Sequence, residues 1–514
     1  MQLFAQTLYR IGVYEMTREI SSLLKQHGRK TLPNVLFASA ECAPLSKTGG
    51  LGDVVGTLPK TLAPLGLDAR VITPYHSVIK EKYASQTEHI ADFTVEMGWR
   101  HQQVGIEKLC VNGTVIYLVD NGQYFGGPIY KGGAEEVEQY AFFVRAVLEA
   151  IPRLDFVPEI VHCNDWHTAM IPMIARTQYP DEMQSRLKFL LSIHNIAFQG
   201  WCSFDECGDY LGVDYKYFND SGVGHGGCAN FLKTGCLYSD KINTVSPTYA
   251  EEIKTAYYGV TLDGILNMRS ADLCGILNGI DVDTFNPASE TVLPANFSLR
   301  SMKGKKTCKA ALQEKMGLDI LPDMPVVSMV MRMTEQKGFD LVMQKLDAIM
   351  ACGDMQFVLL GSGDAKYENF MRSAVERYPG RVGVFLGYNE NLAHLVYAGS
   401  DFMLMPSRFE PCGLSQMIAM RYGCLPIVRE TGGLKDSVIP YNRYTGEGDG
   451  FSFMNFDSDD MYNVLRYAVE TYSDKKAMNG LIRSAMKKDF SFTKSAVEYI
   501  KLYISMLDGP DAAE

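Results

Sequence analysis

The side chains best suited to chemistry in this sequence stand in short, glycine-bearing runs. Lys47-Thr48-Gly49-Gly50-Leu51-Gly52 sets an ammonium beside glycines just ahead of a helical pattern. Glycine lets the backbone approach a ligand closely, and the free N–H groups of a helix start attract an anion. Arg332 and Lys337 share one loop ahead of another helical pattern. A planar guanidinium fork next to a compact ammonium is a means of holding a diphosphate. In Ser407-Arg408-Phe409-Glu410-Pro411-Cys412-Gly413-Leu414 a carboxylate sits on a tight turn, able to accept hydrogen bonds from sugar hydroxyls. Thr431-Gly432-Gly433-Leu434 repeats the glycine device, and Asp165, His167, His194 and Asn195 fall on two further junctions. Each run alone has a plain structural reading: a glycine turn, a solvated basic loop, a carboxylate capping the next helix, histidines that merely pack.

The elements that must position these groups alternate. Val35 to Ala40 reads as a buried strand, followed by a helix from near Asp53 through Val54, Val55, Leu58 and Leu62. Strands are predicted at Asp68–Pro74, Gly113–Asp120, Glu159–Cys163, Lys188–Ile193 and Ile242–Ser246, with a helix over Glu138–Ile151 and another opened by Ser246-Pro247. Gly275–Ile280 is expected as the last strand of this half, with Asn278 at its end, and Gly200–Lys233 as a loop-rich insertion. Asp281–Lys306, with Pro287 and Pro294, reads as a linker. The alternation then restarts with strands at Pro325–Met331, Gln356–Leu360, Val382–Gly387, Phe402–Met405 and Leu425–Val428. Apolar runs alternating with helical patterns predict parallel α/β sheets, whose strand ends bind ligands. The expectation is two such domains with a cleft between them: an N-terminal extension 1–33, partly amphipathic and helical, domains over 34–284 and 285–490, and a segment 491–514 whose helix packs back across the halves.

The totals narrow the class. A chain of 514 residues exceeds one ordinary core. A net charge of −11 argues against a general attraction to nucleic acid or anionic membrane, so phosphate must be met locally. No apolar run suffices to span a bilayer. The 12 cysteines are scattered, with no Cys-x-x-Cys, which favours a reducing, cytoplasmic setting, or a plastid stroma if the chain is eukaryotic. His162 and His167 lack a metal-binding spacing, so no metal is expected, and no Gly-x-Ser-x-Gly elbow or Walker loop occurs.

Taken together and in this order, these runs, with His194-Asn195 in SIHNIAFQG, Val245–Tyr249, Leu277–Asp281 and Glu335-Gln336-Lys337-Gly338, make the chain resemble the glycogen and starch synthase family, most closely its bacterial and plastid type. The resemblance covers roughly Asn34 to Leu507. It implies a GT-B type fold of two Rossmann-like domains and a retaining, metal-independent glucosyl transfer without a cofactor. The donor would be ADP-glucose and the acceptor the non-reducing 4-hydroxyl of an α-1,4-glucan or malto-oligosaccharide. Carried over, Arg332 and Lys337 would hold the diphosphate, and Lys47 with the Gly49 and Gly50 amides would reach the distal phosphate or glucose. Glu410 with the Cys412-Gly413-Leu414 backbone would grip the glucosyl hydroxyls, while Thr431, Gly432 and Gly433 would add phosphate contacts. His194 and Asn278 would position the glucose, Tyr388 would stack on adenine, and Asp165 and Asn195 would lie on the acceptor side. Retention without an evident nucleophile implies front-side attack assisted by the departing phosphate.

Two features depart from the pattern. Ile418 stands where many retaining enzymes of this architecture carry a second glutamate, and the segment before Asn34 has no counterpart in the short bacterial form. Competing readings explain less. A catalytically weak glucan-binding or scaffolding homologue should lose Lys47, Arg332, Lys337 or Glu410, all of which are present. A nicotinamide dehydrogenase using Gly50-x-Gly52-x-x-x-Gly56 leaves the second half unexplained. A glucan phosphorylase would need a pyridoxal-anchoring lysine, of which there is no sign.

Overall fold

The computed structural model describes residues 16–507, which divide into two compact units. Unit 1 takes the chain up to Val245, then Ala250–Asn278 and the segment from Phe492; unit 2 comprises Ser246–Tyr249 and Gly279–Ser491. The division thus falls after Asn278 and Ser491, and the short Ser246–Tyr249 segment groups with unit 2. There Ser246 Oγ donates to the Pro411 carbonyl (2.7 Å) and Thr248 Oγ1 to Asp436 (2.6 Å).

Unit 1 is built on a nine-stranded sheet. Its strands are β1 (Val35–Ala38), β2 (Ala69–Pro74), β3 (Glu88–Met97), β4 (Arg100–Val111), β5 (Thr114–Asp120), β6 (Ile160–Asn164), β7 (Lys188–Ile193), β11 (Lys241–Thr244) and β12 (Leu273–Gly275), in the order β12-β11-β7-β6-β1-β2-β5-β4-β3. Strands β8 (Trp201–Cys202), β9 (Gly224–His225) and β10 (Cys228–Asn230) form a small sheet of their own. The segment expected to be loop-rich therefore carries this sheet, together with helices at Phe204–Leu211 and Phe231–Tyr238. The main sheet is parallel from β12 to β5 and antiparallel through β4 and β3. This hairpin is a departure from the all-parallel expectation. Along β3 buried and exposed residues alternate towards its end, the mark of an antiparallel strand with one wet face, so it lacks the continuous apolar run that marks a strand covered on both sides.

β1, by contrast, is buried along its whole length. The helix Gly50–Leu62 covers one face of the sheet through Val54, Val55, Leu58 and Leu62, and the C-terminal helix Phe492–Ser505 joins the same core through Tyr499, Ile500, Tyr503 and Ile504. Residues 16–26 are helical; Ile20 is buried in that core, Met16, Leu23 and Leu24 pack against it, and Glu19 pairs with Lys501 (2.9 Å). The apolar positions Leu3, Phe4, Leu8, Ile11 and Tyr14 lie outside the described residues.

Unit 2 holds a six-stranded parallel sheet of β13 (Val326–Val330), β14 (Gln356–Gly361), β15 (Val382–Leu386), β16 (Phe402–Met405), β17 (Leu425–Arg429) and β18 (Phe451–Phe453), ordered β15-β14-β13-β16-β17-β18. Residues 281–302, expected as a linker, instead fold onto this unit. Phe285 stacks on His394 with ring centroids 5.0 Å apart, His394 Nδ1 lies 2.8 Å from Glu290, and Arg421 donates to the Val282 carbonyl (2.8 Å). The basic run that follows belongs to the helix Lys303–Lys315, where the buried Lys305 ammonium donates to the carbonyls of Ala398, Ser400 and Tyr422 at 2.9–3.0 Å. Three fixed carbonyls replace the water that this charge lost on burial.

Candidate active site

In unit 2 the site is assembled at the carboxyl ends of the strands. The loop after β13 makes a tight turn at Glu335–Lys337 and closes on Gly338, whose φ is 70°. A Cβ there would stand 1.9 Å from the Pro406 carbonyl oxygen, so only glycine lets this loop lie against the segment following β16. Arg408 N–H donates to the Gln336 carbonyl at 2.8 Å, fixing the two loops together. As a result Lys337 Nζ lies 2.6 Å from Glu410 Oε2, which also accepts from Ser407 Oγ at 2.9 Å. Glu410 is buried and does not cap the next helix: that N-cap is Leu414, without a side-chain cap. The capping alternative is thereby overturned. Arg332 is exposed, and among the described residues no hydrogen bond or ion pair engages its guanidinium.

The second glycine device packs on the first. Gly432 (φ 43°) approaches so closely that a Cβ would stand 1.9 Å from the Glu410 carbonyl oxygen, and a Cβ on Gly433 would stand 2.1 Å from that of Cys412. Gly433 N–H donates to the Glu410 and Pro411 carbonyls, both at 3.2 Å, so this amide is engaged within the protein instead of facing outward for phosphate. Cys412 and Thr431 are buried, and Gly413 (φ 70°) lies where Gln416 Nε2 ties down the Cys412 and Gly413 carbonyls at 3.1 and 2.8 Å. Tyr388 follows β15 and is 77% exposed.

Unit 1 presents its groups at the ends of β1, β6 and β7. Asp165, in the left-handed region (φ 56°), accepts the backbone N–H groups of His194 (2.7 Å) and Asn195 (3.3 Å), joining the two strand ends into one turn. Burial pushes its carboxyl up to about 7. The His194 Nε2 lies 2.9 Å from Asn164 Oδ1, while Asn164 Nδ2 donates to the carbonyls of Ala38 (3.1 Å) and His162 (3.0 Å). That pattern makes Oδ1 an acceptor and places the imidazole proton on Nε2; burial pushes His194 down to about 4, so the ring is neutral. Asn195 Oδ1 accepts the Ala197 N–H at 3.1 Å, a local turn. His167 packs against Trp166, Tyr130 and Tyr140 and is pushed by burial down to about 3, a packing histidine. Asn278 lies three residues beyond the end of β12, not at a strand end as expected; it is buried, and its Oδ1 has no hydrogen-bond partner among the described residues.

The Lys47 loop contains the site's main surprise. Glu41, buried just beyond β1, accepts the N–H groups of Thr48 (2.6 Å) and Gly49 (3.2 Å) and the hydroxyls of Thr48 and Tyr130. The Gly49 amide, expected to face phosphate, is thus held by an internal carboxylate, and the helix begins at Gly50, earlier than expected. Lys47 Nζ pairs with Asp53 at 2.8 Å, both side chains part-exposed. Sequence reasoning passed over Glu41 and Tyr130. A carboxylate in the otherwise apolar Ala40-Glu41-Cys42-Ala43-Pro44 was the available signal for the first; nothing marked the second.

Two Rossmann-like units, one with a cation and carboxylate paired on glycine-walled loops and the other with an Asp-His turn, define a GT-B type glycosyltransferase. Residues 34–268 match the model of the starch synthase catalytic domain and residues 324–469 that of glycosyl transferases group 1. The glycogen synthase of Geobacillus thermodenitrificans is 46% identical over 474 residues, covering 92% of this chain and 98% of that protein. That of Clostridium perfringens is 45% identical over 477 residues, covering 93% and 99%. Among solved structures, the catalytic domain of starch synthase IV from Arabidopsis thaliana bound to ADP and acarbose superposes with a TM-score of 0.86 at 32% identity, covering 93% of this chain and 99% of that one. Sucrose-phosphate synthase from Thermosynechococcus elongatus, at 17% identity and a TM-score of 0.56, shares the fold. The chain belongs to the glycogen and starch synthase family and is a retaining glycosyltransferase.

Proposed function

We propose that the chain transfers glucose from ADP-glucose to the non-reducing 4-hydroxyl of an α-1,4-glucan, with unit 2 binding the donor and unit 1 serving the glucose and acceptor. The observation that carries this reading is the Lys337–Glu410 pair at 2.6 Å, on a loop that also carries the exposed Arg332. In the proposed reaction the bond from the anomeric carbon to the diphosphate oxygen breaks and the bond to the acceptor oxygen forms on the same face. The acceptor proton passes to the departing diphosphate. Arg332 and Lys337 meet the charge that develops there, which is the interaction that grows towards the transition state. Glu410 and the Cys412–Leu414 backbone hold glucosyl hydroxyls, Thr431 and Gly432 contact phosphate, and Tyr388 stacks on the adenine. On unit 1, Lys47 and Gly50 serve the donor phosphate or glucose, His194 and Asn278 orient the glucose, and Asp165 and Asn195 face the acceptor. Asn278 Oδ1, buried and without a protein partner among the described residues, can accept from a glucosyl hydroxyl.

The reading needs neither metal nor cofactor, because the two cations neutralise the diphosphate. It places the protein in a reducing compartment, the cytoplasm, in keeping with 12 cysteines all present as free thiols. None of the described helices is long and apolar enough to cross a membrane.

Incubation with ADP-glucose or UDP-glucose plus a malto-oligosaccharide, in the presence of a chelator, tests it directly. Chain growth with release of ADP is expected; growth with neither donor rejects the reading, and growth only when a divalent metal is restored rejects its metal-free form. Lys337→Ala should lower turnover by about a hundredfold or more.

A further inference from the structure

The C-terminal helix Phe492–Ser505 carries Ser495, Tyr499 and Tyr503, spaced at i, i+4 and i+8, which places them on one helical face. All three are buried, and each hydroxyl reaches a different segment of unit 1. Ser495 Oγ donates to the Leu277 carbonyl (2.6 Å), next to Asn278. Tyr499 OH accepts from Asn243 Nδ2 (3.0 Å) on β11. Tyr503 OH lies 2.8 Å from His162 Nδ1 on β6. These contacts do not end at the first partner. Ser192 Oγ on β7 donates to Asn243 Oδ1 and lies 2.5 Å from His162 Nε2, so it accepts the imidazole proton there. Tyr503 must then donate to Nδ1, and His162 is neutral, as its burial also requires.

The chain Tyr503–His162–Ser192–Asn243–Tyr499 therefore closes on the helix at both ends and ties β6, β7 and β11 together. It connects to the Asp165–His194 turn through two backbone carbonyls. The His162 carbonyl accepts from Asn164 Nδ2, which orients Asn164 Oδ1 towards His194, and the Ser192 carbonyl accepts the Asp165 N–H (2.9 Å). A stripe serving only to bury the helix would be apolar; three hydroxyls with satisfied partners specify one register instead.

We propose that Ser495, Tyr499 and Tyr503 are positioning residues: without touching substrate, they set the Asp165–His194 turn and the Leu277–Asn278 segment for transfer. The proposal rests on the reading that Asp165, His194 and Asn278 serve the transfer. Small displacements of such groups are costly in rate, because the reacting atoms must be held within a narrow geometry.

The test is to compare Tyr503→Phe, Tyr499→Phe and Ser495→Ala, each of which removes one hydroxyl and leaves the packing, with His194→Ala. Turnover, the KM for donor and for malto-oligosaccharide, ADP affinity and the thermal midpoint are measured for each. The expected result is turnover lowered about tenfold in each of the three variants, in protein folded at the assay temperature and with ADP affinity unchanged. Wild-type turnover in all three variants, or a loss matching only the unfolded fraction, overturns the proposal. Should His194→Ala itself keep full turnover, the underlying reading fails instead. If a tyrosine variant does not fold, Ser495→Ala, at the helix's first turn, decides alone.

Discussion

Glu41 changes what the Lys47 loop is for. Its carboxylate binds two backbone N–H groups and two hydroxyls, so the loop is held from within and presents Lys47 instead of a row of free amides. The Lys47–Asp53 pair is part-exposed and worth only about 0.5 kcal/mol, little hindrance to the ammonium's leaving for a phosphate. Glu41→Gln keeps an acceptor but replaces the other oxygen with a donor that faces N–H and O–H groups, loosening the loop. Turnover is expected to fall about tenfold while ADP affinity holds, and isothermal titration beside a rate assay would show it. Lys47→Ala should follow the same pattern, with transfer impaired more than ADP binding; an equal loss of both would make Lys47 part of the primary nucleotide site. The strand-end placement of most candidate residues was legible because their types form rare combinations there. Glu41 was not, because its role depends on partners 7, 8 and 89 positions away, which no local pattern contains.

The loops of unit 2 depend on close backbone approach, and two glycines separate strain from collision. Gly338 and Gly353 both have positive φ, 70° and 76°, at opposite ends of the helix Phe339–Ala351. Beyond Gly353 there is open space, whereas a Cβ at Gly338 would meet the Pro406 carbonyl at 1.9 Å. Gly353→Ala should therefore cost only the left-handed penalty, about 1 kcal/mol, and leave turnover intact. Gly338→Ala adds a backbone clash, for a loss on the order of 3 kcal/mol, and displaces Lys337 from Glu410, so turnover should collapse. Equal thermal midpoints and rates for the two variants would show that the loop relaxes freely. Elements buried on both faces, such as β7, match their expected bounds because a continuous apolar run announces them. The β3–β4 hairpin and the folded 281–302 segment were hidden for the converse reason: one alternates polar with apolar, and the other is held by Arg421, Tyr422 and Glu290 instead of by its own periodicity.

At the scale of the molecule, unit 1 concentrates ionisable groups that burial has driven from their usual range. His76 and His194 are pushed down to about 4, His167 to about 3 and His162 well below its usual range, each chiefly by desolvation, and all four belong to unit 1. They stay neutral when folded but take up protons below about 6.5 when unfolded. Their contribution is fully present above that pH and is lost as pH falls, at most about 2 kcal/mol each by pH 5. Asp165, pushed up to about 7 by burial, acts oppositely. It takes up its proton in the folded chain over a range where the unfolded carboxyl stays charged, which stabilises the fold by about 2 kcal/mol on going from pH 7 to 5. His89, whose contact with Glu107 raises it, leans the same way as Asp165 from the surface. Four such histidines outweigh one aspartate, so acidification from pH 7 to 5 should lower the thermal midpoint. Amide exchange should place the early opening in unit 1. In Asp165→Asn the counterweight is gone, and the fall should steepen. A midpoint that is unchanged or higher at pH 5, or an Asp165→Asn variant less acid-sensitive than the wild type, would show that these groups do not govern the response.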